Sequence, residues 1–144
     1  MKRKKNPRLA RIFAGHDVAF AYLFGSQATG RTHPMSDRDI AVQFRRGVPK
    51  GRRHNLRLKL WNKLSDEWRG ETIDLVDLSE APLLLRFNAV RDGQLLYCAN
   101  DRARIWFEVP TMQEYFDRQF YIERSARTAK RSVAKSASRF TSKK

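Results

Sequence analysis

Leu23-Phe24-Gly25-Ser26-Gln27-Ala28-Thr29-Gly30-Arg31-Thr32-His33-Pro34-Met35-Ser36-Asp37-Arg38-Asp39-Ile40-Ala41-Val42 joins two apolar runs through a polar interval. The first run, Val18 to Phe24, reads as a buried strand, and Ile40-Ala41-Val42 opens a second. Residues two apart in a strand share a face, so Asp37 and Asp39 project together and Arg38 points away. Two carboxylates that close repel and make poor structural cement, but they are good hard-oxygen ligands for Mg²⁺. Gly25 lacks a Cβ, which lets the backbone turn tightly and a ligand come near. Ser26 adds a hydroxyl and an outward backbone N–H, and a helix starting there would offer further free N–H groups to an anion. A phosphate cradle beside paired carboxylates is what a metal–nucleotide complex needs.

Gly25-Ser26, ten residues, then Asp37-Arg38-Asp39 resembles the signature of the polymerase-β-type nucleotidyltransferases. The short chain makes it most similar to the minimal nucleotidyltransferases (MNT). That pattern includes a third carboxylate on a later strand, and Ile73-Asp74-Leu75-Val76-Asp77-Leu78 offers it at Asp74. Asp74 alternates with Ile73 and Leu75, so it faces away from them, whereas Asp77 has the wrong parity to share its face. The resemblance implies that Asp37, Asp39 and Asp74 are both metal ligands and catalytic residues. It implies two Mg²⁺ ions about 3.5–4 Å apart between these carboxylates and the triphosphate of ATP. Gly25 and Ser26 would bind the nucleotide, and Asp74 would stand nearest the attacking oxygen. The resemblance further implies in-line attack at the α-phosphorus and passage of AMP to a hydroxyl without a covalent enzyme intermediate.

Members of the MNT group act as antitoxins paired with all-helical HEPN ribonuclease toxins. The resemblance therefore implies a cognate HEPN-type toxin as partner, with one of its tyrosines as acceptor. Two alternatives stay open: an antitoxin that neutralises its partner mainly by docking, and a nucleotidyltransferase acting on RNA. Arg11-Ile12-Phe13-Ala14-Gly15-His16 matches the Arg-x4-His pattern of the toxins, but His16 leads into a strand, so it reads as a chance match. Arg31 and Arg38 read as basic surface, and His33 and His54 lack ligand spacing.

The 144 residues suit one domain with a real core. The net charge of +15 is clustered: residues 1–11 hold six basic side chains, 45–63 hold eight and 124–144 hold eight, with no acid in any of the three. Such clusters attract polyanions, so non-specific nucleic-acid contact through the basic tails is one expectation. No apolar run approaches the about 20 residues of a membrane span. Met1-Lys2-Arg3-Lys4-Lys5 reads as a basic arm, because no continuous hydrophobic segment follows. The single Cys98 excludes an internal disulfide and points to a reducing, cytoplasmic setting.

In chain order, Asn6 caps a short helix with Pro7 in its first turn, closed by Gly15. Val18 to Phe24 is the first strand and residues 26–31 a short helix. Asp37 to Phe44 is the second strand. A helix follows from Arg52 to Trp68, with Leu56, Leu60, Trp61, Leu64 and Trp68 on one face. Thr72 to Leu78 is a third strand. Ser79 caps a helix from Glu80, with Pro82 in its first turn, and Gln94 to Cys98 is a fourth strand. Asp101 to Phe107 reads as helical, and a longer helix begins near Pro110, where Tyr115, Phe116, Phe120 and Tyr121 read as core packing. The expected class is α/β (α+β), a small mixed β-sheet covered by helices, with a nucleotidyltransferase fold implied by the resemblance. Residues 1–122 form the domain with its C-terminal helix, and 123–144 form a basic, flexible tail.

Overall fold

A computed structural model describes residues 6–25 and 37–141. The elements are α1 (Pro7–Ala14), β1 (Val18–Phe24), β2 (Arg38–Phe44), α2 (Lys50–Glu67), β3 (Ile73–Asp77), α3 (Leu83–Asp92), β4 (Gln94–Cys98) and α4 (Asp101–Thr141). The sheet is mixed, in the order β3-β2-β1-β4. β1 lies antiparallel to both β2 and β4, and β2 runs parallel to β3. A parallel pair needs a crossover, and α2 supplies it. The mixed sheet with helical cover is the α+β class expected from the sequence.

β1 is apolar throughout because both faces of the sheet are covered. On one face α1 and α2 bring Leu9, Phe13, Leu60 and Leu64 onto Ile40, Val42, Phe44 and Leu75. On the other, Phe20, Tyr22, Ala41 and Leu95 meet Ala89 of α3 and Phe107 of α4. Each fully buried aliphatic or aromatic side chain contributes about 1.5–3 kcal/mol. α4 is pinned by a polar contact as well. The buried Tyr22 hydroxyl donates to Glu108 Oε1 at 2.6 Å, and Arg104 Nη1 donates to both Glu108 oxygens at 2.9 and 3.0 Å. Burial, then Glu108, pushes the Tyr22 phenol far up, so it stays a neutral donor.

Local signals explain most boundaries. The Asn6 side chain accepts from the backbone N–H groups of Arg8 and Leu9, with Pro7 next, as a helix start requires. His16 Nδ1 hydrogen-bonds the Ile12 carbonyl at 2.6 Å, which ties it to the end of α1. Trp61, expected on the buried face of α2, is half-exposed: it sits one residue round the helix from Leu60. Its indole N–H donates to the Ile73 carbonyl at 3.0 Å and so covers part of the edge strand β3.

Three expectations change. α3 begins at Leu83 with Pro82 as N-cap, not at Glu80. Proline disfavours helical backbone in the residue before it, so Ala81 cannot open the helix. Residues 77–80 instead form a turn, in which the Asp77 carboxylate accepts from the Ser79 N–H at 2.9 Å. Secondly, α4 runs through Pro110 as one helix. The lost bond leaves the Trp106 carbonyl on a solvent-facing side, where water can satisfy it. Asn100 caps the start by accepting from the N–H groups of Arg102 and Ala103. Thirdly, the aromatics of α4 divide. Tyr115 stacks on Phe87 at 3.6 Å between centroids, but Phe116, Phe120 and Tyr121 are exposed.

α4 also continues as regular helix past residue 122 to Thr141. Ala, Arg and Lys are strong helix formers, so the segment holds helical geometry without burying apolar surface. Among the described residues, no helix is long and apolar enough to cross a membrane.

Candidate active site

The parallel pairing of β2 with β3 sets Asp39 directly beside Asp74. Registered partners lie on the same face of the sheet, so the two carboxylates project side by side. Asp37 precedes β2 by one residue and is exposed, as is Asp74, while Asp39 is partly buried. Burial, then the charge of Asp74, then that of Asp37, holds the Asp39 carboxyl above its ordinary value. Asp39 thus lies close enough to each of the other two expected acidic groups to feel its charge.

Gly25 closes this site from β1. Phe24 is the register partner of Asp39, and Gly25 follows it with a φ of +73°. A Cβ on Gly25 would run into Asp39 Oδ2. Two demands therefore fall on this position: a left-handed backbone and contact with a catalytic-candidate carboxylate. Ser26 and the expected short helix at 26–31 lie outside the described residues, as do Arg31 and His33.

The neighbours of the motif have structural work. Arg38 points to the opposite face from Asp39, where it pairs with Glu71 and lies 4.5 Å over the Trp68 ring. Asp77 is 6% exposed and pairs with Arg53 Nε at 3.0 Å. It anchors α2 to the end of β3 and has no part in the Asp39–Asp74 pair. Cys98 is half-buried, and its thiol donates to Asp101 Oδ1 at 3.4 Å.

The donor set is all oxygen and anionic, which suits Mg²⁺ rather than a thiolate- or imidazole-seeking metal. Among the described residues no group of three such side chains is drawn together tightly enough to hold an ion as it stands. The backbone register already fixes where Asp39 and Asp74 start, so rotation about side-chain bonds is the movement that ligation would need.

The sequence profile of the family described as Polymerase beta, Nucleotidyltransferase matches residues 8–102, about two thirds of the chain. No curated protein matches the sequence. Several solved structures do. A chain of a toxin–antitoxin complex with AMP-PNP is 28% identical, with a TM-score of 0.63, over 83% of this chain and 91% of that one. A mutant form of the toxin–antitoxin MntA–HpeT matches at 26% identity and a TM-score of 0.65, over 85% and 94% of the two chains. The complex of a tri-AMPylated Shewanella oneidensis HEPN toxin with an MNT antitoxin matches at 26% identity and a TM-score of 0.55, over 83% and 88%. With that profile covering more than half of its length, the chain belongs to the polymerase-β nucleotidyltransferase family.

Proposed function

We propose that this chain is an antitoxin that transfers AMP from ATP to a tyrosine hydroxyl of a cognate HEPN-type toxin. The observation that carries the reading is the Asp39–Asp74 register pair with Gly25 pressed against it. The similarity to chains of complexes that contain AMP-PNP or an AMPylated toxin supports the choice of nucleotide and partner.

Asp37, Asp39 and Asp74 would hold Mg²⁺, two ions in the expected arrangement, and the metal supplies charge neutralisation for the triphosphate and acidity for the acceptor hydroxyl. Gly25 gives the phosphates room to approach the backbone, and Ser26 hydrogen-bonds the terminal phosphates. The acceptor oxygen bonds to the α-phosphorus as the bond from that phosphorus to the bridging oxygen breaks. Pyrophosphate leaves, and the acceptor proton passes to Asp74. What the protein provides is placement and fixed charge. The basic arm 123–144 is in this reading a partner-binding element apart from the 1–122 body.

The test is to mix the chain with a candidate HEPN toxin, with and without ATP and Mg²⁺. The expected result is a mass gain of AMP units on the toxin that needs both. A second reading, neutralisation mainly by docking, is favoured by the exposed Phe116, Phe120, Tyr121 and Ile122 on α4. Full inhibition by an inactive carboxylate variant at equal stoichiometry supports that reading instead. Labelled ATP offered to RNA and to protein separates off an RNA acceptor.

Thermal stability gives a second measurement. Asp39 binds protons more readily folded than unfolded, so its contribution to stability falls as pH rises from the ordinary carboxylate value through the raised one. Cations at the site oppose that loss. Mg²⁺ at ten times its dissociation constant is expected to stabilise the fold by about 1.4 kcal/mol near pH 7. The gain shrinks in acid as protons compete for the carboxylates. A melting temperature indifferent to Mg²⁺ at neutral pH counts against the ligand set.

A further inference from the structure

A cleft of about 1060 Å³ opens at the other end of the sheet from the carboxylates. Its apolar walls include Phe20, Phe44 and Trp106, and Arg45, Arg46 and Arg102 stand round its rim. From Asp39 to Phe44 the strand β2 runs roughly 15–20 Å. Between the two places Ala41 and Tyr22 are fully buried, so packed core separates the cleft from the candidate active site.

Three features set its chemistry. Among the described residues, none of the three guanidinium groups has an ion-pair or hydrogen-bond partner, and the exposed Arg45, Arg46 and Arg102 face solvent. Among the described residues, no acidic side chain lines the cleft. Trp106 is 70% exposed, an unusual outlay of apolar surface for a large ring. The first two features call for an anion, and planar guanidinium forks match phosphate oxygens in pairs. The third calls for a flat partner, because bases stack on exposed rings and on arginine planes. The amides at the start of α4 are already capped by Asn100, so the arginines and not the helix end supply the attraction. The volume far exceeds that of a lone anion and lies at the upper end of small-molecule sites.

We propose that this cleft binds a nucleoside phosphate, with the base against Trp106 and the phosphate among Arg45, Arg46 and Arg102. The source is either a free nucleotide or a unit of single-stranded RNA. α4 favours neither by position alone, although its outward face continues from Trp106 through Phe116 and Phe120 to Arg124, Arg127 and Arg131, at helical steps of three and four or sums of them. Binding here needs no divalent cation, because the site has no carboxylates to bridge. That separates it from the Mg²⁺-dependent site, and the proposal stands whether or not the AMP-transfer reading does.

The experiment follows tryptophan fluorescence of the full chain in EDTA during titration with ATP in one arm and a short oligouridylate in the other. The expected result is quenching in at least one arm, absent in Trp106→Phe and weakened about tenfold or more in the double variant Arg46→Glu, Arg102→Glu. Both arginines are exposed, so charge reversal leaves the core untouched, and circular dichroism checks this. Asp39→Asn is expected to quench like the parent. Quenching by the oligonucleotide alone assigns RNA as the source, and by ATP alone a free nucleotide. No quenching in EDTA, quenching indifferent to the double charge reversal, or quenching lost in Asp39→Asn overturns the proposal. So does displacement of both ligands by an acidic peptide of matched charge, which would assign the cleft to an acidic protein segment.

Discussion

Asp39→Asn lowers AMP transfer by about three orders of magnitude or more and leaves the fold intact. Asn keeps the volume that lies against Gly25, so the turn has no gap to collapse into. It removes the charge that burial and Asp74 already disfavour, so the variant matches or exceeds the parent in stability at neutral pH. Its stability also loses the decline with rising pH that Asp39 imposes on the parent. The measurement pairs a toxin mass assay with thermal melts across pH. Transfer within tenfold of the parent would remove Asp39 from the chemistry. A large loss of stability at neutral pH would mean that its carboxylate serves the fold.

Asp74 and Asp77 provide the second contrast, because they sit on one strand and are expected to fail in opposite ways. Asp74→Ala abolishes transfer by a similar factor while stability stays within about 0.5 kcal/mol, since the side chain is exposed and faces a like charge. Asp77→Ala is expected to cost about 3 kcal/mol, because it strands the Nε of Arg53 and releases the Ser79 N–H. Arg53 keeps its 2.8 Å bond to Glu80, which limits the damage. Transfer per folded molecule is expected to stay near the parent level in Asp77→Ala. Denaturant melts and the same mass assay decide it, and exchanged phenotypes would place Asp77 in the site.

Much of this was legible because the signals were local. Val18 to Phe24 and Gln94 to Cys98 are bounded by turn formers, and both strands lie where the sequence puts them. The alternation Ile73-Asp74-Leu75 orders the faces of β3 before any partner strand is known. It cannot say that Asp74 lands opposite Asp39, because register between strands is a tertiary property. Proline misled in both directions. Pro82 excludes helix before it, and Pro110 stays inside a helix because its missing bond faces water. The aromatics of α4 look alike in sequence, and only docking against Phe87 tells Tyr115 from Phe120. The arginine-rimmed cleft was not legible at all, since it gathers the ends of β2 and the start of α4 from distant parts of the chain.

The parallel alignment of β2 with β3 has a consequence for how this chain can change over generations. The connections at 45–49 and 68–72 can lengthen or shorten without turning the carboxylates, provided Arg45 and Arg46 stay at the cleft and Trp68 and Glu71 stay beside Arg38. A single residue inserted between Ile73 and Asp74, by contrast, would turn the third acidic group toward α2 and leave Asp39 without its neighbour. Tolerance to insertion should therefore rise and fall along this region with a sharp boundary at the strand edges.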